Sequence, residues 1–168
     1  DPRMTKPIPG PDPHPRTPRL EAPPRACDCH NHVFGPRDRF PYVPEREYTP
    51  PDAPLEDFLA LLDTLGIERA VIVQPSVYGS DNRCTADAIA RMVGRGRGVA
   101  VVDPSVSQAE LRALDRAGFR GLRFNLVHGG GSTPLDALET LAHKAAAVDW
   151  HVQLYMRGRI LPEIERRL

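Results

Sequence analysis

Residues 26–36 read Ala-Cys-Asp-Cys-His-Asn-His-Val-Phe-Gly-Pro. In an extended strand, side chains two apart share a face. Asp28, His30 and His32 therefore project together, while Cys27, Cys29 and Asn31 point the other way. A mixed Cys/His zinc site would have to draw ligands from both faces of one strand, which is poor geometry. Two imidazoles entering one cavity is good geometry. Such a pair can ligate a divalent metal or, without one, polarise a carbonyl oxygen where negative charge develops. An isolated His-x-His is equally at home in surface or hydrogen-bonded packing, so its place in the fold decides its meaning.

Outward from this stretch, short β-rich runs alternate with helical ones. Strands are expected at 26–34, 70–74, 98–103, 119–126 and 151–155. The second and third are nearly continuous apolar runs, as in parallel strands covered on both faces. Leu55, Phe58, Leu59, Leu62 and Leu65 recur at helical spacing ahead of Gly66 as C-terminal cap. A second helix is expected at 86–93. Ser107 and Glu110 form a capping box before Leu111 and Leu114, and Gly118 closes that helix. Thr133-Pro134 opens a helix with the stripe Leu135, Leu138, Leu141, Ala142 and Ala145. A last helical stretch spans 159–168. Five β units with helical crossovers imply a parallel α/β sheet. Either an open doubly wound sheet or the start of a (β/α)₈ TIM-type barrel fits, and length alone favours the open sheet, since a barrel takes about 250 residues. The histidine pair sits at the end of the first strand, where barrel active sites lie.

Composition narrows the function. The 168 residues carry 22 Lys+Arg against 22 Asp+Glu, so nothing favours a nucleic-acid partner. No apolar run approaches a membrane span, and the N-terminus lacks a secretory pattern. Three cysteines, Cys27, Cys29 and Cys84, make a disulfide framework an unnatural reading and point to a reducing cytoplasm. Residues 1–25 hold nine prolines and little periodicity. They are expected to form a disordered or extended arm ahead of one domain over 26–168.

Asp28-x-His30-x-His32 followed by Val33-Phe34-Gly35-Pro36 resembles the first strand of the amidohydrolase superfamily. Further blocks carry the likeness toward the 2-pyrone-4,6-dicarboxylate hydrolase branch: Phe40-Pro41, VIVQPS at 71–76, GSDN at 79–82, DAIAR at 87–91, GVAVVDPS at 98–105, RGLRFN at 120–125 and HVQLY at 151–155. The resemblance implies a distorted (β/α)₈ barrel and water attack on a lactone carbonyl. It gives His30 and His32 the electrophilic role, and places Tyr48, Ser76, Arg123 and Tyr155 around the substrate's carboxylates and ring oxygens. A carboxylated lactone is then the small-molecule partner.

The residues themselves bear on each assignment. Arg123 lies near the end of the fourth strand, and its guanidinium suits bidentate carboxylate capture. Arg120, an odd number away, faces elsewhere. Tyr155 ends the fifth strand, where its hydroxyl could serve an oxyanion or a local hydrogen bond. Ser76 follows Pro75 and equally suits a turn cap. Tyr48 lies in a long loop where packing alone would account for it. His143 and His151 are placed on a helix face and at the far end of a strand. His128 opens a Gly-rich loop that fits a flexible active-site segment better than a nucleotide loop.

Asn125 and Tyr155 stand where metal-dependent members place a histidine or lysine. The resemblance therefore implies no metal cofactor, with one zinc-like ion on His30 and His32 as the alternative. Residues 126–132 lack the second arginine of the pyrone-dicarboxylate enzymes, which leaves room for a related lactone or a sugar-acid lactone. The sequence ends before a sixth-strand histidine and an eighth-strand aspartate. Alone it is expected to be an N-terminal part of a longer enzyme, inactive or reliant on self-association as a homo-oligomer. A metal-dependent decarboxylase, a lactone isomerase and a non-catalytic half-barrel remnant are the competing readings.

Overall fold

The computed structural model describes residues 6–127 and 133–167. Its main sheet has five parallel strands in chain order: β1 (Cys27–Asn31), β2 (Arg69–Val73), β3 (Gly96–Ala100), β4 (Phe119–Asn125) and β5 (His151–Tyr155). A doubly wound sheet reverses its order at a switch point; this one never does. The order is that of a (β/α) barrel wall, and the open-sheet alternative falls. In a sheet wound one way, right-handed crossovers set every helix on one face. The other face is left to line the barrel interior.

The helical face makes the core. Helix α1 (Leu55–Leu65) buries Leu55 and Leu62, and Gly66 ends it in the left-handed region at φ 68°. Helix α2 (Arg83–Arg91) buries Cys84, Ala88 and Ile89. Helix α3 (Gln108–Arg116) begins with the expected capping box, Ser107 and Glu110 bonding reciprocally. Helix α4 (Leu138–Ala146) buries Leu138, Leu141 and Ala145. These side chains pack on Ile72, Ala100, Leu122 and Phe124 of the sheet. Among the described residues, no helix is long and apolar enough to cross a membrane.

Several boundaries differ from expectation. β1 stops at Asn31, and Phe34 instead bridges to Ala53 in an antiparallel pair. β1 also carries a register shift between Asp28 and Asn31, which face Ala70 and Ile72, so an extra residue enters this strand. Asn31 spans the irregularity by donating from Nδ2 to Val71 O at 3.1 Å. β3 begins two residues early, at Gly96, and α2 three early, at Arg83. Thr133 does not cap its helix. Its hydroxyl donates to Val102 O at 2.8 Å, and a 3₁₀ turn (Leu135–Ala137) precedes α4. The last expected helix is broken into two 3₁₀ turns around α5 (Leu161–Ile164). The glycine loop after His128 lies outside the described residues. In the proline-rich arm, Lys6–Pro7 pairs in parallel with Tyr48–Thr49, while residues 8–25 are almost all exposed.

Glycines in the sheet have a packing role that can be measured. A Cβ on Gly98 would sit 2.6 Å from Ile89 Cδ1 and 2.7 Å from Phe119 Cδ1, both inside the core. The three atoms nearest a Cβ on Gly121 all belong to the ring of His151, an exposed side chain that can swing aside. Gly98→Ala is expected to cost about 2 kcal/mol and Gly121→Ala under about 0.5 kcal/mol in urea unfolding. Equal costs would contradict this packing.

Candidate active site

The rings of His30 and His32 lie side by side, their centroids 5.3 Å apart and their planes at 77°. The extra residue in β1 alters the regular alternation but does not splay the pair. His30 is held through its backbone, its N–H donating to Asp28 Oδ1 at 3.0 Å. His32 is held through its ring, with Nδ1 2.7 Å from Val73 O at the end of β2. A carbonyl can only accept, so Nδ1 carries the proton. In the neutral ring Nε2 then presents a lone pair. Burial pulls the His32 pKa down to about 4, opposed by the Val73 bond and reinforced by the charge of Arg123. The His30 value is also lowered, by burial and then by Arg123. Both rings are therefore neutral at pH 7.

Arg123 comes to the pair from β4. It is only 8% exposed, yet among the described residues no carboxylate forms an ion pair with it. Its Nη1 donates to Gln74 O at 3.5 Å, and its guanidinium lies 5.3 Å from the centre of the Tyr155 ring. Burial pushes its pKa down, offset by Tyr48 and Tyr155. Tyr48 is buried enough to raise its phenol pKa, with Ser76 and the charge of Arg123 nearby opposing the rise. The six expected residues, His30, His32, Tyr48, Ser76, Arg123 and Tyr155, thus converge at the ends of the strands. Arg120 is elsewhere, bonded to Asp115 of α3, and His151 sits at the start of β5 beside Gly121. The face is open, with Tyr155 44% exposed. A separate cavity of about 390 Å³ is lined by Gly35, Arg39, Asp52 and Cys84.

The sequence reading did not single out what supports these groups. Phe34, Tyr78 and Tyr42 continue a chain of rings from His32, with centroids 6.0, 6.5 and 5.2 Å apart in turn. Arg37 and Arg46 lie over Tyr42, 5.0 and 5.9 Å from its centre, and Arg46 also bonds Thr49 beside Tyr48. Gln74 is fully buried behind Ser76 and Arg123. A polar side chain ending the apolar run of β2 was the available signal, because a buried amide must find partners.

Chemically, the face offers one buried guanidinium, two neutral imidazoles and two phenols. Among the described residues no three His, Cys, Asp or Glu side chains cluster to hold a metal ion. His30 and the free Nε2 of His32 provide two nitrogen donors, with the guanidinium of Arg123 opposing a further cation.

Comparison with known proteins agrees with this arrangement. The family model described as amidohydrolase matches residues 27–168. A 2-pyrone-4,6-dicarboxylate hydrolase of Comamonas testosteroni is 45% identical over 152 residues, covering 90% of this chain and 50% of its own. A 4-sulfomuconolactone hydrolase of Hydrogenophaga intermedia is 36% identical over 161 residues, 95% of this chain and 53% of its own. A solved apo structure from Agrobacterium tumefaciens superposes with a TM-score of 0.83 at 28% identity, covering 91% of this chain and 54% of its own. The chain spans about half the length of the curated relatives it matches. With the sequential barrel strands, the paired first-strand histidines and the matched family model all in agreement, this chain belongs to the amidohydrolase family.

Proposed function

We propose that this chain supplies the carboxylate-gripping and carbonyl-facing half of a hydrolase that opens a carboxylated lactone. The observation that carries this reading is Arg123, a buried guanidinium beside two neutral imidazoles with no carboxylate of its own among the described residues. A buried cation without an anion is costly, and a substrate carboxylate is the natural partner. Tyr48, Ser76 and Tyr155 complete the cradle. With the carboxylate held there, the lactone carbonyl lies against His30, whose ring N–H stabilises the developing oxyanion. His32 departs from the electrophilic role that the resemblance implied: its one ring proton is held by Val73 O, so it has none for the carbonyl and instead offers its Nε2 lone pair to a proton of the attacking water. Water adds to the carbonyl carbon, the ring C–O bond breaks, and the ring oxygen leaves with a proton as a hydroxyl. The names of the hydrolase relatives support this reaction type. The free thiols Cys27, Cys29 and Cys84 fit a cytoplasmic setting.

One observation favours a second reading. A histidine whose Nδ1–H is held by a backbone carbonyl is prepared to ligate a metal through Nε2. His30 and His32 would then hold one divalent ion such as zinc, which would polarise the carbonyl when bound. The test is a substrate panel on the chain with and without a chelator, scored by ring opening and by bound metal. Carboxylated lactones are expected to bind at least about 10-fold more tightly than their neutral esters, with activity unchanged by chelation. Equal affinity for esters and acids would end the carboxylate reading. Loss of both metal and turnover on chelation would install the metal reading instead.

A further inference from the structure

We infer that Gln74 is a positioning residue that fixes the substrate-binding geometry from behind the site; the inference rests on the carboxylated-lactone reading above. Gln74 follows β2 directly and is fully buried. Its amide uses every capacity it needs. Nε2 donates to Gly79 O at 3.2 Å and to Asp81 O at 2.8 Å, and Oε1 accepts from the Thr85 hydroxyl at 2.7 Å. These bonds tie the strand end to the far limb of the 75–82 loop and to the first turn of α2. The near limb of that loop is the 3₁₀ turn Ser76–Tyr78, whose Ser76 lies beside Tyr48. The backbone of the same strand end faces the site. Val73 O accepts from His32, and the next carbonyl, Gln74 O, accepts from Arg123. One dipeptide therefore anchors the His32 ring that meets the attacking water and the guanidinium that meets the carboxylate. The amide side chain locks the loop between them. Its removal leaves His32 anchored to Val73 but frees Ser76, Tyr48 and Arg123 to drift, so carboxylate binding is lost and the imidazole chemistry is kept.

The test compares Gln74→Glu and Thr85→Val with the unaltered chain, using 2-pyrone-4,6-dicarboxylate as probe. Glu is isosteric but faces two carbonyls with an acceptor in place of two donors. At pH 8 it is expected to raise the probe's Kd about 10-fold, or KM by that factor with kcat within about 2-fold where turnover is measured. The ratio to the unaltered chain should shrink toward about 2 at pH 5, where a protonated carboxyl can donate to one carbonyl again. Thr85→Val, a milder change, should raise Kd about 2- to 3-fold and speed hydrogen exchange of the 76–82 amides while β2 and β3 stay protected. A Gln74→Glu Kd within 2-fold of the unaltered chain at pH 8, or a ratio flat with pH, overturns the inference. If that variant does not fold, Thr85→Val decides alone: unchanged Kd and unchanged exchange overturn it. If the unaltered chain does not bind the probe, the lactone reading fails, and exchange across 76–82 in the variants still decides the positioning claim.

Discussion

Replacing Arg123 with methionine is expected to weaken 2-pyrone-4,6-dicarboxylate binding about 100-fold while raising the stability of the chain. The two signs come from one cause. The guanidinium is buried, has a carbonyl at 3.5 Å and an aromatic face as neighbours, and has no ion-pair partner among the described residues. Its desolvation is unrecovered until an anion arrives. Charge-assisted hydrogen bonds to a carboxylate are worth about 1.5–3 kcal/mol, and a bidentate pair sits at the upper end, which is about 100-fold in Kd. Methionine fills similar volume without the charge, so the free chain should gain about 1 kcal/mol in urea unfolding. Arg123→Lys keeps the charge but loses the fork and should sit between the two in affinity. A destabilised Arg123→Met chain with unimpaired binding would show that Arg123 is a structural residue.

The second large effect is on stability against pH. His32 has a folded-state pKa of about 4 because burial opposes its charged form. In the unfolded chain it titrates near 6.5. The native state therefore binds fewer protons between these values, and stability is complete above about pH 6.5. It falls as pH drops through that window toward 4, by at most about 3 kcal/mol. In His32→Gln this part of the pH dependence should vanish, while carboxylate titrations below pH 4 persist. Urea midpoints taken from pH 4 to pH 8 on both chains measure it directly. Parallel curves would mean that His32 titrates freely and is not held neutral.

Periodicity carried most of the fold. The helix over 55–65, its Gly66 terminus and the Ser107–Glu110 box follow from spacing and capping chemistry that local sequence specifies. Arg123 and Arg120 do part company, but β4 is regular only from Gly121 to Asn125 against β5; Arg120 falls at a register shift, where Phe119 and Gly121 oppose the successive residues Gly98 and Val99, so parity alone does not explain its direction. Parity was a weaker guide in β1, where the register shift between Asp28 and Asn31 breaks the alternation on which the histidine argument rested. There the rings meet because Val73 O draws in His32 and the Asp28 carboxylate holds the His30 backbone, contacts that come from tertiary structure. Helix breaks near Thr133 and Pro162 were illegible for a similar reason. Thr133 has a better partner in Val102 O than in its own helix, and nothing local announces it. Tyr48 and Ser76 lie in loops without a period, so only likeness to a family singled them out. Gln74 was legible in principle as the polar end of AVIVQ, but its three partners lie 5 to 11 residues downstream in a turn that spacing does not describe.

Neutral His30 and His32 share one face with an anion-seeking Arg123. Side-chain ¹⁵N NMR of the histidines and arginines, with 2-pyrone-4,6-dicarboxylate titrated in at pH 7, tests it most directly. The expected spectrum has His32 neutral and protonated at Nδ1, and the ligand should shift His30, His32 and Arg123 together along one binding curve. A His32 protonated at Nε2 or charged at pH 7, or a ligand that moves Arg123 without either ring, would contradict it.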